Sequence, residues 1–470
     1  MEENKELEQN IENTTQSTRS LEETKTETQE SEELTEKQQR REYRRQRRIR
    51  NQIMAYGALA LTAIFVFVGI YQVSRVIFGK ASSEKEIEQV QAQIEEELSE
   101  QEEIIISEPE QLITEKTPEE KLDEVVEACI EVMPLEDRVA GLFFVTPEDI
   151  TGVNVAVRAG EGTQEALNQY AVGGMIYRSQ NIVDESQLRE MITNTEAWSK
   201  YPLFIGVEEE GGQVSTISRS SILIEEAAAS PAIIAGTNNP EVAYNAGKIT
   251  GSYLADLGFN LNFAPTCDVL IDENNAFLKE RTYGSNPDIV SQMISSVVKG
   301  MEEEGINVCL KHFPGMGDLK QDTTAGMITT QRTLQHYKDK DLKVFQAGIE
   351  AGADFVMISN VSVPAITGDN TPCTLSKAIV TDCLRTELGF NGVVITDALN
   401  EMAITEYYEA DEAAILALKA GCDMILMPED FKKAYEGVLE AVQNGTISEE
   451  IINDSLKRIY RIKYKDKMEE

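Results

Sequence analysis

At 470 residues the chain is long enough for one large domain with appendages or for about three domains of average size. With 43 basic and 82 acidic residues its formal charge is −39, which argues against nucleic-acid binding unless the cations gather on one face. Six cysteines without a CxxC spacing and only two histidines argue against a Cys/His zinc centre and a disulfide-stapled miniprotein; Cys267, Cys309 and Cys422 are expected to be free thiols buried as small apolar groups, while a disulfide between Cys373 and Cys383 is left open.

Residues 1–50 form the first segment. From Met1 to about Glu36 the composition is Glu, Thr, Gln and Ser, with too few apolar side chains to offset the entropy of ordering, so a disordered tail is expected. The tail ends in a basic block, Lys37, Arg40, Arg41, Arg44, Arg45, Arg47, Arg48 and Arg50, which alone could suggest nucleic acid. The neighbouring segment argues otherwise. Residues 51–74, NQIMAYGALALTAIFVFVGIYQVS, carry no charge, and at about 1.5 Å per residue they can cross about 30 Å of hydrocarbon. A transmembrane helix over 51–78 is therefore expected, too long and too far from the start for a cleaved signal peptide. The flanking arginines orient it with residues 1–50 in the cytoplasm and the remainder outside the plasma membrane. Residues 79–117 are rich in Glu and Gln without a sustained heptad and read as a charged stalk.

From Pro118 to residue 466 short apolar runs alternate with amphipathic stretches, before a tail at 467–470. The runs are GLFFV (141–145), GGMIY (173–177), LFIGV (203–207), NLNFAP (260–265), VCLKHF (308–313), DFVMISN (354–360), GVVITD (392–397) and MILMP (424–428). The stretches include 164–170, 241–257, 287–304, 334–351, 376–388 and 410–420. Eight such units favour an α/β fold of the TIM (β/α)8 type over an open doubly wound sheet. In that fold the site lies at the C-terminal ends of the strands. There the sequence places Glu208, Glu209 and Glu210, then Asp268, Lys311 and His312, Asn360, and Asp397. Carboxylates facing a Lys-His pair suit glycoside chemistry, although strand-end Lys and Asp also serve Schiff-base barrels, so position alone leaves the chemistry open.

The motifs narrow it. KHFPGMGDLKQDTT (311–324), GVVITDALNEMAI (392–404), VEEEGG (207–212) and LKAGCDMILMPED (418–430) resemble family 3 glycoside hydrolases, in particular their compact β-N-acetylhexosaminidase branch. GGMIYRSQNI (173–182), LNFAPTCDV (261–269) and ERTYG (280–284) fit the same pattern in the same order, so the resemblance covers residues 120–466. It implies a retaining enzyme that removes terminal N-acetylhexosamine from a glycan or cell-wall fragment, with no metal or organic cofactor. Asp397 falls on the family nucleophile, and Arg281, Lys311 and His312 on sugar-binding positions. Glu208 stands where the family usually has the shorter Asp. His336 has no motif context and is expected to be an ordinary surface or packing residue.

The departures bear on chemistry. The branch's general acid/base is a histidine, paired with an aspartate, on the loop after the fifth strand; here that loop reads Asp322, Thr323, Thr324, and Thr324 cannot titrate near neutral pH. Met316, Gln213 and Asn360 replace a further histidine, an arginine and a third histidine common in the family. Three readings are open: Asp322 or Asp318 supplies the proton; the domain is a catalytically impaired glycan binder; or the substrate's leaving group needs little protonation.

Overall fold

The computed structural model describes residues 116–321 and 323–465. The expected tail 1–50, the helix 51–78, most of the stalk and Asp322 lie outside the described residues. Among the described residues no helix is long and apolar enough to cross a membrane.

The strands are β1 (Phe143–Val145), β2 (Gly174–Ile176), β3 (Phe204–Val207), β4 (Glu209–Gly211), β5 (Val214–Ser215), β6 (Leu261–Asn262), β7 (Asn307–Phe313), β8 (Phe355–Ile358), β9 (Val393–Thr396) and β10 (Ile425–Leu426). All but β4 and β5 form one eight-stranded sheet in the order β10-β1-β2-β3-β6-β7-β8-β9, paired in parallel throughout. A parallel bridge between Ile395 and Met424 carries β9 round to the entry of β10, so the sheet curves into a barrel. Each of the eight runs read from the sequence coincides with one of these strands, β7 beginning one residue ahead of its run at Asn307. Their continuous apolar character comes from burial on both faces, against the barrel interior and against the surrounding helices.

Two glycines let the interior fill with aromatic rings. A Cβ on Gly174 would lie 2.4 Å from Phe144 Cε2, and one on Gly206 would lie 2.7 Å from Phe263 Cε2. Phe144 and Phe263 then meet edge to face at 5.1 Å, and Phe204 meets Phe355 at 4.9 Å. The N-terminal rim is tied by Asp423, whose carboxylate accepts from the Val394 N–H at 2.8 Å and the Ser455 hydroxyl at 2.9 Å and pairs with Arg385 and Arg458.

The helices obey local signals. Pro240–Leu257 and Pro287–Glu302 each begin with proline at the first helical position, behind Asn239 or Asn286 accepting from the first turn. Two expected stretches differ in detail. The stretch 334–351 breaks at Lys340 into Leu334–Asp339 and Asp341–Glu350, and 376–388 winds as a π-helix over Ala378–Glu387. All six cysteines are free thiols; Cys129 is half-buried and the others are buried.

Candidate active site

Because every barrel strand runs the same way, the segments after β3, β6, β7, β8 and β9 share one mouth. After β3 the chain folds back at once as the β4–β5 hairpin, turning through Gly211 and Gly212 at φ of 92° and 66°. Side chains along an extended chain alternate, so the three consecutive glutamates divide their work. Glu209 points to the hairpin's own support. Its buried carboxylate accepts from the Ile217 N–H at 2.7 Å, the Ser218 hydroxyl at 2.5 Å and the Tyr253 hydroxyl at 2.9 Å.

Glu208 and Glu210 both reach Lys311, each at 2.8 Å. Glu210 is buried and also takes a two-pronged bond from Arg281, 2.8 Å from Nε and 2.7 Å from the guanidinium end. Arg281 in turn stacks on Phe277 at 4.6 Å. Burial works against charge on Glu210, yet Lys311 and Arg281 hold its carboxyl far below the ordinary range. Lys311 likewise loses hydration, and Glu208 and Glu210 more than restore its preference for the charged form. Lys311 also holds Glu208 below the ordinary range, but Glu208 differs from Glu210 in access: 43% of its side chain is exposed, which leaves its second oxygen free to meet a ligand hydroxyl.

His312, next along β7, donates from Nδ1 to Asp268 at 2.8 Å, and Asp268 is itself fixed by the Met316 N–H at 2.6 Å. Holding Nδ1 in this way orients the ring and leaves Nε2 for a ligand. At the end of β9 the Ala398 N–H donates to Asp397 at 2.8 Å. Burial raises the Asp397 carboxyl to about 7, Glu401 adds to the rise, and His312, the Ala398 N–H and Lys311 oppose it. Asn360, at the end of β8, braces this corner: its amide donates to the Ala398 carbonyl and to Glu401, both at 2.9 Å, and its oxygen accepts from Thr374 at 2.6 Å.

Glu208, Arg281 and Lys311 thus meet in one ion-pair cluster, with His312 beside Lys311 and the field of both reaching Asp397. In the loop after β7 Thr323 is buried and Thr324 exposed. Asp318 accepts from Thr330 at 2.5 Å and lies 3.6 Å from Arg332, which pairs with buried Asp341. Its contacts are therefore those of a loop anchor. Met316 is buried in a small cluster with Leu270, Leu278, Leu319 and Val361. His336 is half-buried on its helix, and burial lowers its pKa. Sequence reasoning noted Glu210 and Asp268 only as strand-end acids and passed over Glu401, although Glu401 lies four residues beyond Asp397. Among the described residues no cluster of His, Cys, Asp and Glu could hold a metal ion.

The family model for the glycosyl hydrolase family 3 N-terminal domain matches residues 135–462. The chain is 32% identical over 293 residues to a beta-hexosaminidase of Idiomarina loihiensis, covering 62% of this chain and 86% of that protein. It is 29% identical over 327 residues to beta-hexosaminidase A of Pseudoalteromonas piscicida, of which it spans 54%. Among solved structures it is similar to a family 3 beta-N-acetylglucosaminidase from Paenibacillus sp., at 29% identity and a TM-score of 0.67, over 72% of this chain and 64% of that one.

Proposed function

Because the chain belongs to glycosyl hydrolase family 3, we propose that its barrel is a retaining glycosidase that releases terminal β-linked N-acetylhexosamine from a glycan or cell-wall fragment, using Asp397 as nucleophile. The observation that carries this reading is the partition of charge at the mouth. Lys311 and Arg281 are balanced by Glu208 and Glu210 on the β3–β7 wall, while the Asp397 carboxyl at the end of β9 has no ion pair among the described residues. Glu208, Lys311, Arg281 and His312 are suited to grip hydroxyl groups. Asp397 Oδ attacks the anomeric carbon as the bond from that carbon to the leaving oxygen breaks, and the leaving oxygen takes a proton. Water then attacks the glycosyl-enzyme ester, gives up a proton, and frees Asp397. The names of the relatives support the N-acetylhexosamine, and the geometry supports the grip on a sugar.

The proton in both steps must come from and return to a residue other than Thr324. We assign that role to Asp322, carried by the loop after β7, with Glu401, bonded to Asn360 beside Asp397, as the competing donor. A second reading, a catalytically impaired glycan binder, draws on Thr324 standing where the branch has its acid/base histidine. The apolar, uncharged run at 51–74 supports a single N-terminal membrane anchor for the whole chain, with the barrel outside the cell.

The two readings separate in one comparison, made with the full chain in mild detergent. An aryl N-acetyl-β-glucosaminide with a good leaving group is set against a β-linked disaccharide of N-acetylglucosamine. Turnover of the aryl substrate that disappears in Asp397→Asn establishes the nucleophile. Turnover of the disaccharide as well shows a working acid, and loss of it in Asp322→Asn or in Glu401→Gln tells which. If neither substrate turns over while N-acetylglucosamine oligomers still bind, the glycosidase reading is wrong and the binding one stands.

A further inference from the structure

Beside Glu208, on the wall made by the ends of β2 and β3 and by the β4–β5 hairpin, lies a cavity of about 390 Å³. The polar side chains that line it include Arg178, Ser179, Glu208, Gln213, Ser215, Thr216 and Arg219. Two features make it more than a surface dent. Arg178 and Arg219 have no ion-pair partner among the described residues, in a chain whose formal charge is −39. Arg178 acts on Asp149 only through its field, since that carboxylate is spent on the N-terminus of its own helix, at Thr146. Independently, Ser215 is 8% exposed and its hydroxyl has no hydrogen-bond partner, which is costly for a buried polar group unless a ligand satisfies it. Glu208, the one acid in the lining, already has Lys311 as counter-ion at 2.8 Å.

The position of the cavity says which part of a substrate would enter it. In the strand order β3 lies diametrically across the barrel from β9. A sugar whose anomeric carbon sits at Asp397 on β9, with a hydroxyl on Glu208 after β3, points its far end, the carbons around C4 and C6, at the arginines. Resting on the reading of the mouth as a sugar site, we propose that the cavity takes an anionic substituent, a phosphate or a carboxylate, carried at that far end of the sugar. Two guanidinium forks and three hydroxyls match such a group in charge and in donor geometry.

Calorimetry on the full chain in mild detergent tests this without requiring turnover. N-acetylglucosamine, N-acetylglucosamine 6-phosphate and N-acetylglucosaminuronic acid are titrated into the wild type, into Arg178→Ala/Arg219→Ala and into Arg178→Lys/Arg219→Lys. The expected result is that at least one anionic sugar binds about tenfold or more tightly than the neutral one, equivalent to about 1.4 kcal/mol. The stronger of the two identifies the anion. That preference should vanish in the alanine pair and survive in part in the lysine pair, while the affinity for neutral N-acetylglucosamine and the melting temperature stay unchanged, because both arginines are exposed. Equal affinities for the three sugars in the wild type would overturn the proposal, as would an anion preference that the alanine pair retains. Failure of all three sugars to bind would instead remove the sugar-site reading on which it rests.

Discussion

In the proposed mechanism the chemistry turns on Asp397, and its environment makes three measurable demands. As a nucleophile it must be ionised, and burial with Glu401 nearby has raised its carboxyl to about 7. Turnover of an aryl N-acetyl-β-glucosaminide should therefore fall as the pH drops through about 7, because protonation removes the attacking oxygen. Asp397→Asn should lower that turnover by at least about a thousandfold. The same shift has a consequence for stability with a definite sign. A carboxyl whose pKa is higher folded than unfolded binds its proton more tightly in the native state, so its contribution to stability falls as the pH rises from the unfolded value towards 7 and stays low above it. Asp397→Asn, which cannot carry the charge, should raise the melting temperature at pH 8 and lose that advantage towards pH 4, in scanning calorimetry at the two pH values. An equal effect at both would mean that the gain is one of packing. Lys311 makes the opposite kind of demand. It is fully buried between two carboxylates, and Lys311→Met would leave Glu208 without its counter-ion and Glu210 with Arg281 alone, so chemical denaturation should show a loss on the order of 3 kcal/mol.

At the level of elements the β4–β5 hairpin sets the site, because it turns Glu208 and Glu210 inward and Glu209 away. Its turn needs glycine at position 211, where φ is 92° and a Cβ would lie 2.7 Å from the Ala229 carbonyl oxygen. Gly211→Ala should cost roughly 1–3 kcal/mol of stability in denaturant titrations and weaken sugar binding by moving Glu210 off Arg281. An unchanged affinity would show that the hairpin does not position the cluster. The barrel strands were legible in the sequence because parallel strands buried on both faces leave uninterrupted apolar runs between polar stretches. The hairpin was not legible, since EEEGGQVS carries no alternation of apolar and polar residues; it is held in place by Glu209's bonds to Tyr253 and Asn262, which are tertiary. For the same reason the break at Lys340 and the π-helical winding of 378–387 leave no periodic trace. The site was half legible. Lys311, His312, Arg281, Glu208 and Asp397 stand in recognisable motifs. That Asp268 fixes His312, that Glu210 bridges Arg281 and Lys311, and that Asn360 braces Glu401 depends on which strands are neighbours across the mouth.

For the whole molecule the sequence proposes an order that the described residues do not include: a cytoplasmic tail, an apolar span and a stalk ahead of the barrel. If residues 51–74 anchor the chain, it should pellet with membranes at high salt and at alkaline pH, and a protease added outside intact cells should reach the barrel. Recovery in the soluble fraction would argue against the anchor. A barrel held near the cell surface would meet glycan ends rather than free oligosaccharides, which fits a mouth whose far wall offers room and positive charge beyond the terminal sugar.

The central claim is that Asp397 forms a covalent bond to the sugar although Thr324 occupies the acid/base position. In a retaining enzyme the same residue acts as acid in the first step and base in the second, so weakening it slows release of the sugar from the enzyme. An aryl substrate with a good leaving group passes the first step without that help. The decisive measurement is rapid acid quench of the full chain during turnover of such an N-acetyl-β-glucosaminide, with peptide mass mapping of the quenched protein. The expected result is a burst of phenol in proportion to enzyme, with one N-acetylhexosamine attached to the peptide carrying Asp397 and none in Asp397→Asn. Phenol release with no adduct at Asp397, or an adduct on another residue, would contradict it.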